Sequence, residues 1–213
     1  MPWPLFRCSL VVVLAGLLTV AEERKPVQLP PPDTSGGKPL MQALSERRTT
    51  RSFRADPLSP QVLSNLLWAA FGINRPESKL RTAPSAWNQQ EIDLYVFTAA
   101  GVYHYLPATH SLEPVAAGDW RSLTGTDAFV SEAPVSLLYV ADFARTPKTA
   151  EADRRYYAAA DAGFIGQNVY LFSASAGLGT VLADGVDKTA TANKLGLRPE
   201  QYIIFSQAVG YPK

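Results

Sequence analysis

Apolar residues recur along this chain with distinct periods, and each period predicts an element. Val62, Leu63, Leu66, Leu67 and Ala70 fall at helical spacing behind Ser59, a capping residue, and Pro60 at the first turn, and the run stops at Gly72. That is the best-signalled helix of the sequence. Glu91 to Phe97 and Val102 to Leu106 are rich in strand formers and flank Ala99-Ala100-Gly101, which predicts a hairpin. Pro134 to Ala141 is an almost unbroken apolar run, so a strand buried on both faces is expected. From about Ala150 to Ala176 the chain reads as one long helix, dotted with Gly163, Gly166, Ser173 and Ser175 and ended by Gly177-Leu178-Gly179. Its small residues permit close packing, inside a core or a subunit interface. A short helix opening at Leu40, a short strand Thr180 to Leu182, a helix Lys188 to Leu197 and a last strand Tyr202 to Gly210 complete the set. Asn74 to Gln90 reads as a long irregular loop. Helices around a mostly antiparallel sheet make this an α+β domain.

Two stretches stand outside that pattern. Leu10 to Ala21 runs without a charge behind Arg7, too short for a bilayer span of about 20 residues but suited to the apolar region of a secretory signal peptide. A signal over residues 1–21 is therefore expected, with cleavage before Glu22. Cys8 precedes the apolar run, where a lipoprotein cysteine would follow it, and no twin arginine leads it. The expectation is export by the general route to the periplasm or the extracellular space, without stable membrane insertion once the signal is removed. Residues 22–39 hold Pro26, Pro30, Pro31, Pro32, Pro39 and Gly36-Gly37, and read as an extended arm lying on the domain or on a partner. The domain itself is expected over 40–213.

Composition narrows the function classes. The chain carries 20 Lys+Arg against 19 Asp+Glu, so it has no basic excess with which to grip nucleic acid. Loss of residues 1–21 removes Arg7 and Cys8, leaving equal numbers of basic and acidic residues and no thiol, which suits an oxidising compartment. Two histidines do not make a zinc site by count, and no metal is expected.

Two clusters could carry chemistry. Arg47, Arg48, Thr49, Thr50, Arg51 and Ser52 place three guanidiniums and three hydroxyls at the expected end of a helix. Bidentate guanidinium donors and hydroxyls suit a phosphate monoester, and equally a solvated basic helix end favoured by the helix dipole. Arg81 to Gln90 is a loop of amides, hydroxyls and an indole: Asn88, Gln89 and Gln90 can address the edge of a planar heterocycle, while Pro84 and Trp87 offer an apolar face. Such a loop can also be a plain polar connection.

Taken in order, five segments resemble the nitroreductase family of flavin mononucleotide (FMN) enzymes. They are Glu46-Arg-Arg-Thr-Thr-Arg-Ser-Phe53, Ala83-Pro-Ser-Ala-Trp-Asn-Gln-Gln90, Asp161 to Asn168 continuing to Ala176-Gly-Leu-Gly179, Ala183-Asp-Gly185, and Ala208-Val-Gly-Tyr-Pro212. The chain looks most like the SagB/ThcOx-type dehydrogenase branch, in a short exported form. The resemblance implies a nitroreductase-like fold with a long central helix, a homodimer, FMN as cofactor, and a small-molecule substrate with a nicotinamide or another electron donor. It implies that Arg47, Arg48 and Thr49 hold the phosphate and ribityl chain, with Arg51 nearby. Pro84, Ser85 and Asn88 would lie against the flavin from the opposite subunit, and Ala183, Asp184 and Gly185 would run over the isoalloxazine edge. The family's C-terminal basic residue could only be Lys213 here. No catalytic side chain is assigned, because the Lys-Tyr pair of the azoline-oxidising members has no counterpart, although Arg154-Arg155-Tyr156-Tyr157 lies in that region. The alternative is a non-catalytic flavin or small-ligand binding protein of the same fold.

Overall fold

A computed structural model describes residues 25–213; the expected signal peptide lies outside the described residues. The arm contributes β1 (Val27–Gln28) and leads to α1 (Leu40–Glu46) and α2 (Pro60–Phe71). Ser59 caps α2 as its position requires, its hydroxyl accepting the Val62 N–H at 3.3 Å. The stretch read as irregular loop holds a small hairpin of β2 (Ile73–Arg75) and β3 (Leu80–Arg81) before its last residues turn irregularly. The expected hairpin follows as β4 (Ile92–Thr98) and β5 (Gly101–Leu106), continued by β6 (Ser111–Ala117). After α3 (Ala128–Glu132) comes β7 (Val135–Asp142), then a 3-10 turn at Glu151–Asp153 and the central helix α4 (Arg154–Ala176). Gly177 ends α4 in the left-handed region at φ 70°. β8 (Gly179–Ala183), α5 (Lys188–Leu195) and β9 (Gln201–Gly210) close the chain.

Seven strands form one sheet in the order β1-β6-β5-β4-β7-β9-β8, every neighbouring pair antiparallel. β7 sits inside the sheet between β4 and β9 with all eight residues buried, as its apolar run requires. Leu137, Tyr139 and Ala141 share a core with Leu66, Leu67 and Ala70 of α2 and Ala158, Ala162, Ile165 and Val169 of α4. Leu138 and Val140 belong to a second core with Tyr95, Phe97, Ile203 and Leu195 of α5. The alternation of side chains along a strand sends successive residues of β7 into the two cores.

β6 and α3 were not expected from the sequence. β6 carries Glu113 and Pro114 and pairs on its outer side with only the two residues of β1, so its outer edge tolerates a proline that an inner strand would not. The proline arm lies along α2: Ser64 Oγ donates to the Pro30 carbonyl at 2.6 Å, Gln61 Nε2 to that of Pro31 at 2.9 Å, and Asn65 Oδ1 accepts the Asp33 N–H at 2.8 Å.

Candidate active site

The basic segment becomes a site because the chain stops being helical at Arg47. With ψ at 121° there, the backbone leaves α1 extended and runs beside β8. Thr49 bridges Thr180, the Thr50 N–H donates to the Thr180 carbonyl at 3.0 Å, and Phe53 bridges Pro212. The segment is thus clamped between β8 and the C-terminal tail. Gly179 permits the approach, since a Cβ there would lie 2.6 Å from Thr50 Cγ2.

Arg47 and Arg48 line a cavity of about 490 Å³ together with Lys38, Tyr170 and Ser173. Tyr170, Ser173, Ala174 and Gly177 reach it from one face of α4, at spacings of three and four residues. The Arg47 guanidinium lies over the Tyr170 ring, 5.3 Å from its centroid. The Tyr170 hydroxyl accepts the Leu182 N–H at 3.1 Å and stands 3.5 Å from Thr49 Oγ1. Lys38 is neutralised by Glu46, but among the described residues Arg47, Arg48 and Arg51 enter no salt bridge. Ser173 Oγ is buried without a hydrogen-bond partner and belongs to a residue lining the same cavity. Guanidiniums without salt-bridge partners at such a cavity fit a phosphate monoester, which would supply the missing acceptors.

The other residues singled out in the sequence fall into separate places. Arg51 is exposed and outside the lining. The Lys213 N–H donates to the Ser52 carbonyl at 3.2 Å, while its ammonium pairs with Glu132 of α3 at 2.9 Å. Ala183, Asp184 and Gly185 continue β8 away from the cavity, with Ala183 lying about 10 Å beyond Thr180 at extended spacing. Val186 N–H closes a tight turn on the Asp184 carbonyl at 2.8 Å. A Cβ on Gly185 would come within 2.7 Å of Thr126 Oγ1.

Pro84, Ser85 and Asn88 lie at the opposite half of α4. Asp161 Oδ2 accepts the Ala86 N–H at 2.9 Å, roughly 13 Å along the helix from Tyr170. Within one chain, then, the loop and the arginine cavity do not converge. A larger cleft, of about 1080 Å³, opens between the N-terminal end of α4 and β9 and includes Phe143, Arg155 and Tyr202, but none of the expected site residues. Sequence reasoning gave no role to Tyr170, Ser173, Glu91 or Asp161. The helical spacing of Tyr170 and Ser173 was a usable signal, whereas nothing in the sequence showed that Glu91 and Asp161 would be buried.

The nitroreductase family pattern matches residues 44–211. The chain belongs to the nitroreductase family. A protein of Methanocaldococcus jannaschii that carries the nitroreductase name is 33% identical over 153 residues, 67% of this chain and 76% of its own. A crystal structure of a protein from Ralstonia eutropha that carries the same name has a TM-score of 0.85 at 40% identity, covering 91% of this chain and 92% of that one. The NADPH:FMN oxidoreductase of Vibrio harveyi, solved with NAD+, shares the fold at a TM-score of 0.61 and 19% identity, over 82% of this chain and 69% of that one. The nitroreductase-like fold expected from the five segments is the fold observed. FMN is the usual cofactor of nitroreductases, and the donor set of the arginine cavity fits its phosphate.

Proposed function

We propose that this nitroreductase-family protein is an exported FMN-dependent oxidoreductase that works as a homodimer on a small electron-poor or unsaturated organic substrate. A nicotinamide or another donor supplies its electrons. The observation that carries this reading is the cavity lined by Arg47 and Arg48, which lack salt-bridge partners among the described residues. Bound FMN supplies hydride or electron transfer at its N5 position. The chain supplies binding and orientation. Arg47 and Arg48 would hold the phosphate by charge-assisted hydrogen bonds, with Thr49 at the ribityl chain and Arg51 and Lys213 at its basic periphery. Tyr170 holds Arg47 in place and ties it to β8, so that Ala183, Asp184 and Gly185 would run along the isoalloxazine edge.

The homodimer reading rests on α4. Its outer face carries Tyr156, Ala160, Gly163 and Phe164, with Tyr156 72% and Phe164 48% exposed. A Cβ on Gly163 would meet nothing within 4 Å, so no packing inside the chain calls for a glycine there. Pairing α4 with its own copy in antiparallel sense would carry Pro84, Ser85 and Asn88 of one subunit to the arginine cavity of the other.

Export follows from the signal-like residues 1–21, and it requires FMN to be acquired after translocation of the unfolded chain. Membership of the SagB/ThcOx-type branch rests on the five segments. Without the Lys-Tyr pair, peptide heterocycle oxidation is not part of the proposed activity.

The test is a visible absorption spectrum of the mature protein after FMN reconstitution, followed by anaerobic reduction and mixing with quinones or nitroaromatics. Flavin absorption with rapid reoxidation is expected. Bound flavin that no acceptor reoxidises favours the non-catalytic binder, a reading suited to the engagement of Lys213 by Glu132. Protein that retains no flavin overturns both.

A further inference from the structure

The proline arm ends at the arginine cavity. From its pairing with β6 it runs along α2 and crosses to the C-terminal end of α4, where the Lys38 N–H donates to Ser175 Oγ at 2.7 Å. Gly37 allows this approach, since it sits at φ 100° and a Cβ there would lie 2.7 Å from Ser175 Oγ. Lys38 is the residue that the arm delivers.

The Lys38 ammonium stands at the cavity. It donates to the Ala174 carbonyl at 3.0 Å and to Glu46 Oε2, and both Ala174 and Glu46 line the cavity with Lys38 itself. The Ala174 carbonyl is open to it because α4 stops there. In a continuing helix the Leu178 N–H would take that carbonyl, but behind the left-handed Gly177 it goes to the Ser173 carbonyl at 2.8 Å. Lys38 therefore satisfies a carbonyl at the negative end of a 23-residue helix.

The surroundings ask for a cation at this point. Glu46 is fixed through both oxygens, by Lys38 at Oε2 and by Gln42 Nε2 at Oε1 at 2.7 Å, and these two hydrogen bonds hold its carboxyl below the usual carboxylate range. A carboxylate and the negative end of α4 both oppose a bound phosphate. Lys213 does not offset them, because it pairs with Glu132 and is absent from the lining. Lys38, Arg47 and Arg48 are the cations that line the cavity.

An ammonium carries three N–H donors. Two are taken by Ala174 and Glu46, and among the described hydrogen bonds Lys38 Nζ has no third acceptor. The side chain is 33% exposed, so the third donor is open to a ligand.

We propose that Lys38 is a third cationic ligand of the flavin phosphate, brought to the cavity by the proline arm, with its free N–H donating to a phosphate oxygen. The inference rests on the proposed function, in which Arg47 and Arg48 hold that phosphate. Lys38 precedes α1 and the arginines follow it, yet the contact with Glu46, the neighbour of Arg47, brings the ammonium to their end of the helix. The bonds to Ala174 and Glu46 stay in place. A partly exposed ion pair is worth little by itself, so sharing the ammonium with a phosphate costs little stability.

Lys38→Met, Glu46→Gln and the two together, each in the chain without residues 1–21, separate a phosphate ligand from a residue that only neutralises Glu46. Affinities for FMN and riboflavin are read on the flavin-free proteins by quenching of flavin fluorescence. Lys38→Met should weaken FMN binding about tenfold, the lower end for a charge-assisted hydrogen bond because the side chain is partly exposed, and leave riboflavin binding unchanged. The same step of about tenfold should separate Glu46→Gln from the double variant, since a bond to phosphate does not depend on Glu46. Gly37→Ala touches no charged group and should reproduce the selective loss of FMN by lifting the arm from Ser175. If Lys38→Met folds poorly, Lys38→Gln, which keeps an N–H donor for the Ala174 carbonyl, should show the same loss.

A double variant that binds FMN as tightly as Glu46→Gln overturns the assignment, because Lys38 then acts only through Glu46. An equal loss for FMN and riboflavin overturns it too, as the mark of a purely structural residue. Unchanged FMN affinity in Gly37→Ala overturns delivery by the arm. Wild type that binds FMN beside an unaffected Lys38→Met overturns this assignment alone, whereas wild type that binds no FMN overturns the functional reading and this assignment with it.

Discussion

The Tyr170 ring lies beneath the Arg47 guanidinium at 5.3 Å while its hydroxyl accepts the Leu182 N–H at 3.1 Å. One side chain of the central helix therefore holds both the basic segment and the edge strand β8. Tyr170→Phe keeps the ring and loses the acceptor, which is expected to cost about 0.5–1.5 kcal/mol in folding stability. Tyr170→Ala also frees Arg47 and should weaken FMN binding further than the phenylalanine variant does. Urea unfolding and flavin fluorescence titrations on the two variants check the split.

Arg47→Ala with Arg48→Ala tests the phosphate assignment. Charge-assisted hydrogen bonds are worth about 1.5–3 kcal/mol each, so loss of one contact should weaken FMN binding roughly 10- to 150-fold, and loss of both should weaken it further. Riboflavin, which has no phosphate, should bind the wild type and the double variant about equally. An equal loss for both ligands would mean that the arginines only maintain the fold.

Tyr139→Phe probes the hydrogen bond that links the sheet to α4. Tyr139 donates to Gln207 Oε1 at 2.6 Å, Gln207 Nε2 donates to the Gly166 carbonyl at 3.3 Å, and both side chains are buried. Leaving Gln207 Oε1 unpaired is expected to cost about 1–3 kcal/mol. Denaturant unfolding with an unchanged slope and a lower midpoint would bear this out.

Gly179→Ala should damage the site without touching a charged group. The added Cβ would lie 2.6 Å from Thr50 Cγ2 and 2.7 Å from its Cβ. The basic segment must shift away from β8, at a cost of about 1–3 kcal/mol typical of overpacking. FMN affinity should fall together with the melting temperature, whereas Gly163→Ala, inside α4 with open space around its Cβ, should raise the melting temperature of the isolated subunit slightly, because alanine is favoured over glycine within a helix.

Elements whose signal is local were legible in the sequence. The Ser59-Pro60 start of α2, the hairpin of β4 and β5, the doubly buried β7 and the Gly177 stop of α4 all rest on neighbours within a few residues. α4 was placed a few residues early because Glu151–Asp153 turn as a 3-10 segment before it. β6 and α3 were not legible, the former because the short outer pairing with β1 makes Pro114 acceptable only in the assembled sheet.

By itself, the sequence determined the α+β class and the stretch in which three guanidiniums stand together, because periodicity and charge density are properties of consecutive residues. Only the tertiary structure decided what those guanidiniums face. Tyr170 and Ser173 reach them across the fold from α4, and Lys213 is drawn to Glu132. It likewise decided that Glu91 and Asp161, on either side of a loop with left-handed residues, are both buried. A carboxyl's environment is set by the helix and sheet packed around it, and that environment has no one-dimensional trace.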